Sequence, residues 1–133
     1  TYPAVNCDGL LAGDLEVALD AGPSRIALGD GAVMRFVGAS AHMSTGTAVV
    51  ASTPFATDDN DFENARSLVA LVEYGRFRYH WGGDLMGDGP DIEGHLVATA
   101  GDHFYGPLGM DVTHAHHHVR RTSSNAAFVD AMA

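Results

Sequence analysis

The chain has 133 residues, 46% of them apolar, which is enough hydrophobic material for one domain, residues 1–133, with a single core. A disordered tail and a repeat array are therefore excluded. The 17 acidic residues outnumber the 7 basic ones, which are all arginines. The resulting formal net charge of −10 disfavours nonspecific binding to nucleic acid. Cys7 is the only cysteine, so the chain cannot form an internal disulfide.

No apolar run approaches the roughly 20 residues that cross a bilayer, so we expect no membrane insertion. Residues Thr1 to Asn6 also lack the charged-then-apolar order of a signal peptide. We therefore expect a soluble protein that is cytoplasmic rather than secreted, although the sequence leaves the compartment open. Because the chain begins at Thr1 and stops at Ala133 within a predicted helix, we also expect it to be part of a larger protein.

Turn-forming residues divide the first half of the chain into short apolar segments, which predict β-strands. The predicted strands are Leu15–Leu19, Arg25–Leu28, Val33–Val37 and Ala48–Ala51, with turns at Ala21–Pro23, Gly29–Gly31 and Gly38–Gly46. The pair Asp30-Gly31 can supply the positive φ angles of a two-residue hairpin turn. Carboxylates and amides are frequent between Thr53 and Asn64, which predicts an acidic loop.

A nearly continuous apolar run opens the second half. Segments Ser67–Tyr74 and Phe77–Trp81, joined at Gly75-Arg76, predict an interior hairpin that is covered on both faces. A helix is expected over Asp91–Ala100, with Pro90 at its start and Gly101 at its end. The predicted final elements are a strand over Met110–Thr113 and a helix capped by Ser123 or Ser124, with Phe128 and Met132 on one face.

Two features of this second half indicate a site. Asp84 follows Gly82-Gly83 at the end of the interior hairpin, and strand ends are where open sheets display functional groups. Four of the eight histidines fall within His114–His118, at the end of another predicted strand. Burying so many imidazoles without partners would be costly, and neutral imidazole is a common zinc ligand, so metal binding is favoured. The alternative is a solvent-exposed polar turn without a ligand.

The remaining histidines are scattered, and a structural role is the preferred interpretation for each of them: His42, His80, His95 and His103. Asp102-His103 could form an orienting pair, but adjacent residues on an extended segment point to opposite faces.

Several segments in fixed order resemble the C-terminal half of metallo-β-lactamase-fold hydrolases: Glu63–Val69, Val72–Phe77, Gly83–Leu85, Asp111–His118 and Arg121–Ser124. They are most similar to the hydrolase domain of bacterial competence, or DNA-uptake, channel proteins and to its free-standing relatives. In that group, a Tyr-Gly-Gly-Phe-like hairpin precedes a strand ending in Thr-Gly-Asp, and a later strand ends in Gly-His-His-Gly-Ser before a Thr-Ser-Ser segment. The resemblance covers about Arg25 to Met132.

The resemblance implies a zinc site with two ions. Asp84 matches the metal-bridging aspartate, and His117-His118 matches the late histidine pair, with His117 favoured as the ligand. Asp84 and His117 are the implied catalytic residues, because Asp84 would bridge the ions and His117 would complete one metal shell. His118 or His116 could hydrogen-bond the substrate or its leaving group, and the candidate metal residues are Asp84, His116, His117 and His118. Asp111 and Ser67 are candidates for orienting these ligands.

The sequence also departs from the family's motifs at several positions. His116 stands where the family has Gly, and Val119-Arg120 stands where it has Gly-Ser. The family's His-x-His-x-Asp-His signature, which supplies most of the first metal's ligands, is not found. The segment beginning at His114 has the right first spacing, but His118 stands where Asp is required and Val119 where the last His is required.

The implied fold is α/β, half of a four-layer α/β/β/α sandwich with one mixed sheet and two covering helices. Half a sandwich exposes one apolar sheet face, so we expect a partner, either the N-terminal half of the same fold or a second chain. The implied function is zinc-dependent hydrolysis of a phosphodiester or another small ester, with nucleic acid as a substrate disfavoured by the charge. One alternative is a noncatalytic binding or assembly domain of the same fold, and another is an unrelated histidine-cluster protein that carries a metal.

Overall fold

The structure, a computed structural model, describes residues 25–39, 42–51, 62–88 and 91–133. Its strands are β1 (Arg25–Gly29), β2 (Ala32–Ala39), β3 (His42–Ser44), β4 (Val49–Ala51), β5 (Val69–Tyr74), β6 (Phe77–Trp81) and β7 (Val112–Thr113). They form one open mixed sheet in the order β4-β3-β2-β5-β6-β7, and β1 also pairs with β2. Strands β6 and β7 are parallel, and the other pairs are antiparallel. The predicted mixed α/β class with one mixed sheet is therefore confirmed.

The two predicted hairpins are present. Gly29 pairs with Ala32, so Asp30 and Gly31 form a two-residue turn, with φ angles of 49° and 85°. Tyr74 pairs with Phe77 across the turn that joins β5 to β6, and β5 lies between β2 and β6 inside the sheet. The prediction that this hairpin is covered on both faces is confirmed only for the first half of β5, because Val69 to Leu71 are buried and Tyr74 is exposed.

Three α-helical segments are described: α1 (Phe62–Ala65), α2 (Ile92–Ala100) and α3 (Ala126–Met132). Helix α2 begins one residue later than predicted, at Ile92, because Asp91 is its N-cap: the side chain of Asp91 accepts a hydrogen bond from the backbone N–H of Gly94 at 2.6 Å. Helix α3 is capped by Asn125, whose Oδ1 accepts from Phe128 at 2.9 Å. None of the helices in the described ranges is long and apolar enough to cross a membrane.

Several predicted boundaries differ from the structure. Neither Ser123 nor Ser124 caps α3, because Asn125 offers its side chain there. The chain does not leave the helical conformation at Gly101, which has φ of −52° and continues into a π-helical turn, Gly101–Tyr105. Part of the turn expected over Gly38–Gly46 is strand β3, and the end of the expected acidic loop is helix α1. The predicted strand Leu15–Leu19, the turn Ala21–Pro23, Pro90 and most of the acidic loop lie outside the described residues.

All three helices pack on one face of the sheet. The core on this face joins the sheet residues Val69 and Leu71 to residues from every helix: Ala65, Ile92, Leu96, Ala100, Phe128 and Met132. Both Phe128 and Met132 are buried, as their spacing predicts. Phe104 and Tyr105, in the π-helical turn, complete the core. The main hydrophobic core is therefore enclosed between the helices and this face.

The other face of the sheet is apolar, and it is only partly exposed, since Ala70 on this face is fully buried. One row of paired residues crosses five strands on this face: Ile26, Met34, Val72, Tyr79 and Val112. Flanking pairs add Phe36, Ala70, Tyr74, Phe77 and Trp81. We call these ten residues the open face. Several of its large side chains are substantially exposed, with Tyr74 at 55%, Ile26 at 50% and Trp81 at 40%.

Candidate metal site

Asp84 lies in a tight loop directly after β6. Its backbone N–H donates to the hydroxyl of Ser67 at 3.0 Å, which ties the loop to the residue that precedes β5. The two preceding glycines are required by close contacts. A Cβ on Gly82 would overlap the imidazole of His116, and Gly83 has φ of +57°, a conformation that side chains disfavour. The sequence therefore correctly identified a close backbone turn before Asp84.

The histidine turn, residues His116–Val119, follows β7 and is a short turn whose backbone is not right-handed helical at His117 and His118. The N–H of His114 donates to the carbonyl of His80 at 2.8 Å, which extends the pairing of β7 with β6 up to the turn. His114 and His118 are exposed, whereas His116 and His117 are buried. The histidine cluster thus divides into two exposed imidazoles and two buried ones.

The histidine turn and the Asp84 loop are in contact. His118 Nε2 lies 3.7 Å from Asp84 Oδ2, with the His118 side chain 82% exposed and that of Asp84 40% exposed. The backbone N–H of His117 donates to the carbonyl of Gly83 at 3.2 Å. The imidazole of His117, favoured from the resemblance as the ligand, contacts Asn64 through Nε2 and Thr122 through Nδ1, both at 3.4 Å. The imidazole beside Asp84 is therefore that of His118.

A chain of buried polar side chains lies beneath the histidine turn, and we call it the polar chain. Its members are Glu93, His116, His80 and Tyr105. His116 Nδ1 is 2.6 Å from Glu93 Oε1, and His116 Nε2 is 2.9 Å from His80 Nε2. His80 Nδ1 is 3.1 Å from the Tyr105 hydroxyl. The sequence includes His116 among the metal candidates, but both of its ring nitrogens are engaged inside the core.

Hydrogen-bond chemistry gives the polar chain a direction. The backbone N–H groups of Ser124 and Asn125, at 2.6 and 2.9 Å, can only donate, so Glu93 accepts with both oxygens. With neutral imidazoles, Tyr105 donates to His80, His80 donates to His116, and His116 donates to Glu93. Each buried group therefore has a partner, which removes the energetic objection to burying these imidazoles.

Burial determines the protonation states of His80 and Tyr105, the two members of the polar chain farthest from Glu93. Desolvation is the largest cause, with smaller contributions from the neighbouring His116 and His114, and together they lower the pKa of His80 to about 3. Desolvation also raises the pKa of the Tyr105 hydroxyl well above its ordinary value, against the opposing effect of Arg78. His80 therefore stays neutral and Tyr105 stays protonated at neutral pH, as the donor direction requires.

The backbone of the histidine turn is strained. His117, His118 and Val119 have φ angles of 46°, 55° and 60°, so three consecutive residues other than glycine are left-handed. The left-handed conformation costs roughly 1–2 kcal/mol per residue, and it is least favourable for a β-branched residue such as Val119. Strain of this kind persists only where surrounding contacts impose it, and it is concentrated at functional sites.

Of the two residues expected to orient the ligands, Ser67 contacts the Asp84 loop and Asp111 does not contact the histidine turn. Ser67 contacts the backbone of Asp84 as described, which agrees with a supporting role. Asp111 instead accepts from the backbone N–H of Arg78 at 2.8 Å and helps to join β7 to β6, so it does not orient an imidazole of the histidine turn. Among the scattered histidines, His80 has the structural role that was preferred for it.

Sequence reasoning did not identify Glu93 and Tyr105. Glu93 is an acid in the first turn of α2, a common surface position, yet it is 0% exposed. Its partners lie on the histidine turn and at the start of α3, so no local motif marks it. The available signal was the alternation along β6, which places His80 on the opposite face of the strand from Phe77, Tyr79 and Trp81.

Within the described ranges, no three histidine, cysteine, aspartate or glutamate side chains lie close enough together to hold a metal ion. Comparisons with protein-family models, with curated proteins and with solved structures found no match for this chain. The resemblance drawn from the sequence motifs therefore stays a prediction.

The neutral state of His80 predicts a pH dependence of folding. The unfolded chain binds a proton at this histidine below about pH 6.5, whereas the folded protein does so only near pH 3. The contribution of His80 to stability is therefore intact above pH 6.5 and declines as the pH falls from 6.5 toward 3, at about 1.4 kcal/mol per pH unit. Urea unfolding of the wild type and His80→Gln at pH 7, 6, 5 and 4 measures this difference.

The free energy of unfolding should depend less steeply on pH in His80→Gln than in the wild type. The difference in slope should correspond to one bound proton, because both proteins share the other titrating groups. The His80 Cε1–H resonance of the folded protein should not shift between pH 7 and pH 4. A resonance that titrates in this range, or parallel unfolding curves, would contradict the assignment of His80 as buried and neutral.

The strain at Val119 predicts a stabilising substitution. Val119→Gly removes the steric cost of a left-handed β-branched residue, and the side chain is 74% exposed, so little packing is lost. We expect the free energy of unfolding to rise by about 1 kcal/mol, measured by urea denaturation. Val119→Ala, the matched control, retains a Cβ and should gain less. Equal effects of the two substitutions would show that the left-handed backbone is not the cause.

Proposed function

We propose that the chain is the second half of a zinc-dependent hydrolase of the metallo-β-lactamase fold, acting on a phosphodiester or another small ester. The observation that carries the proposal is the contact between the Asp84 loop and the histidine turn, with His118 Nε2 3.7 Å from Asp84 Oδ2. These groups come from the ends of different strands, and an exposed carboxylate beside an imidazole is a donor pair that zinc accepts.

The donor set fits part of a zinc site. Asp84 and His118 offer one oxygen and one nitrogen at the protein surface, and His117 lies in the same turn. Catalytic zinc sites use at least three protein ligands, and the described residues do not bring three together. We therefore propose that this chain supplies the Asp84 and His118 ligands, with His117 nearby, and that the other ligands come from outside the described residues.

Zinc in such a site lowers the pKa of bound water and so makes hydroxide available near neutral pH. The roles of the chain's own residues follow from their contacts. Ser67 fixes the backbone of Asp84, and Gly83 receives the N–H of His117, so the loop and the turn keep a constant spacing. His116 supports the turn from inside the core rather than binding metal, because both of its ring nitrogens are engaged.

The open face supports the proposal at the level of the fold. Helices cover one side of the sheet, and the other side presents a row of apolar residues across five strands. A sheet with this pattern on its free side is suited to pack against a second sheet. We propose that the N-terminal half of the same fold, on the parent polypeptide or on another chain, covers the open face and contributes the missing metal ligands.

A noncatalytic domain of the same fold is a second candidate. It is favoured by the lack of any three-residue metal group within the described ranges. An unrelated histidine-cluster metal carrier would depend on exposed histidines rather than on Asp84.

Zinc titration of the chain and its variants separates these functions. We expect weak Zn²⁺ binding by the wild type and a loss of affinity of about 100-fold or more in Asp84→Asn, because a neutral amide, a much weaker zinc ligand, replaces the anionic carboxylate. Asp88→Asn is the matched control, because Asp88 is an exposed aspartate in the same loop. Phosphodiester hydrolysis should require the completed particle and should also be lost in Asp84→Asn.

A wild type that folds without binding zinc would favour the noncatalytic domain. Binding that is lost on changing the exposed His114 but not on changing Asp84 would favour the metal carrier. Either result would overturn the hydrolase proposal.

The open face makes a separate prediction about association. Light scattering after size exclusion should show a dimer or a complex with the N-terminal half, and Trp81→Lys should weaken it by placing a charge at the interface. Leu108→Lys is the matched control, because Leu108 is 79% exposed but lies in the turn between α2 and β7 and is not part of the open face. A stable, nonaggregating wild-type monomer would contradict the proposal that the N-terminal half of the fold covers the open face.

A further inference from the structure

We propose that Glu93 is a positioning residue that holds the histidine turn in its left-handed conformation through His116. Its relevance to a metal site depends on the function proposed above, but the positioning itself can be tested without metal. The three strained residues of the turn are His117 to Val119. His116, before them, and Ser124, after them, both bond to the carboxylate of Glu93.

Glu93 contacts both ends of the segment that contains the strained residues. Its Oε1 receives His116 Nδ1 at the beginning of the segment and the N–H of Ser124 at the end, each at 2.6 Å. Its Oε2 receives the N–H of Asn125 at 2.9 Å. Because one rigid group joins the two ends, it closes the segment into a loop and limits the conformations open to His117 and His118.

The carboxylate is itself held between the loop and the turn. The backbone N–H of Glu93 donates to the carbonyl of Met86 at 2.9 Å, so the first turn of α2 is tied to the Asp84 loop. A Cβ on Gly87 would overlap Glu93 Oε2, which shows how closely the loop backbone approaches the carboxylate. Glu93 thereby connects the two segments that carry Asp84 and His118.

Other contacts inside the segment are weaker constraints. The Ser123 hydroxyl donates to the carbonyl of His116 at 2.8 Å, and the N–H of Arg120 donates to the carbonyl of His117 at 3.0 Å. Both contacts lie within the segment and move with it. Outside the segment, Gly83 accepts from the N–H of His117 at 3.2 Å, and the N–H of Gly87 donates to the carbonyl of Thr122 at 2.7 Å. Glu93 also lies outside the segment and is fully buried, so water cannot replace its contacts without opening the core.

The test is amide hydrogen exchange of the full, metal-free chain in Glu93→Gln. Glutamine keeps the shape, but it replaces one acceptor oxygen with a donor, so at least one of the three donors loses its partner. The informative amides are those of His117 and Arg120, which donate to Gly83 and His117 and do not contact Glu93. We expect their exchange to accelerate at least tenfold, while exchange in β2 and β5 changes much less.

The matched control is Glu73→Gln. Glu73 is a partly exposed acid on β5 that pairs with Arg35 and Arg78, away from the histidine turn. This substitution should leave exchange at His117 unchanged. A uniform acceleration throughout the core of Glu93→Gln would show a general structural role and would overturn the proposal, as would unchanged exchange at His117.

A double variant tests whether Glu93 acts through His116. His116→Gln breaks the link at the beginning of the segment and keeps the Glu93 contacts with Ser124 and Asn125. If the proposal is correct, exchange at His117 in Glu93→Gln/His116→Gln is no faster than in the faster single variant. Independent, multiplicative effects would contradict it. Should Glu93→Gln fail to fold, His116→Gln alone must give the accelerated exchange at His117.

Zinc binding provides the link to the proposed function. If both proposals hold, Glu93→Gln weakens Zn²⁺ binding by about 10–100-fold, and Glu73→Gln does not. If the wild type binds no zinc but exchange at His117 still responds to Glu93→Gln, the metal site is refuted and the positioning role stands. Unchanged exchange together with intact zinc binding refutes the positioning role alone.

Discussion

The described site depends most on the hydrogen bonds that the buried carboxylate of Glu93 accepts. It is fully buried, accepts from two backbone N–H groups, and pairs with His116 at 2.6 Å. Removing one partner of such a pair leaves a buried hydrogen-bonding group unsatisfied, which typically costs about 1–3 kcal/mol. The same contact explains how three left-handed residues can exist in succession, because the segment that contains them is fixed at both ends. Stability, turn conformation and the spacing of Asp84 and His118 are therefore coupled.

Local patterns in the sequence predicted the elements whose causes are local. The Asp30-Gly31 hairpin follows from the positive φ angles that the turn requires, and helix α2 follows from the spacing of Ile92, Leu96 and Ala100. The α3 cap was misassigned because three neighbouring polar residues could all have served, and only the structure shows that Asn125 reaches Phe128. The extension beyond Gly101 depends on burial of Phe104 and Tyr105, which is a tertiary effect.

The site was predicted only in part, because some of its features are local in the sequence and others depend on contacts between distant residues. The strand-end position of Asp84 and the density of histidines after β7 are visible in the sequence, and the structure brings the two segments into contact. Which imidazole faces Asp84 depends on the left-handed turn, and that conformation is imposed by Glu93 from a distant helix. The division of the cluster into buried His116 and exposed His118 could not be obtained without this contact.

The central claim is that Asp84 and the histidine turn bind one metal ion together. NMR of the isotope-labelled chain during titration with Co²⁺ tests it most directly, because the paramagnetic ion shifts and broadens resonances close to it. The account predicts that the carboxyl resonance of Asp84 and the Cε1–H resonance of His118 are affected at the same low Co²⁺ concentration, before those of His95 and His103. Broadening that begins at His114, or that spreads evenly over the exposed histidines and leaves Asp84 unaffected, would contradict it.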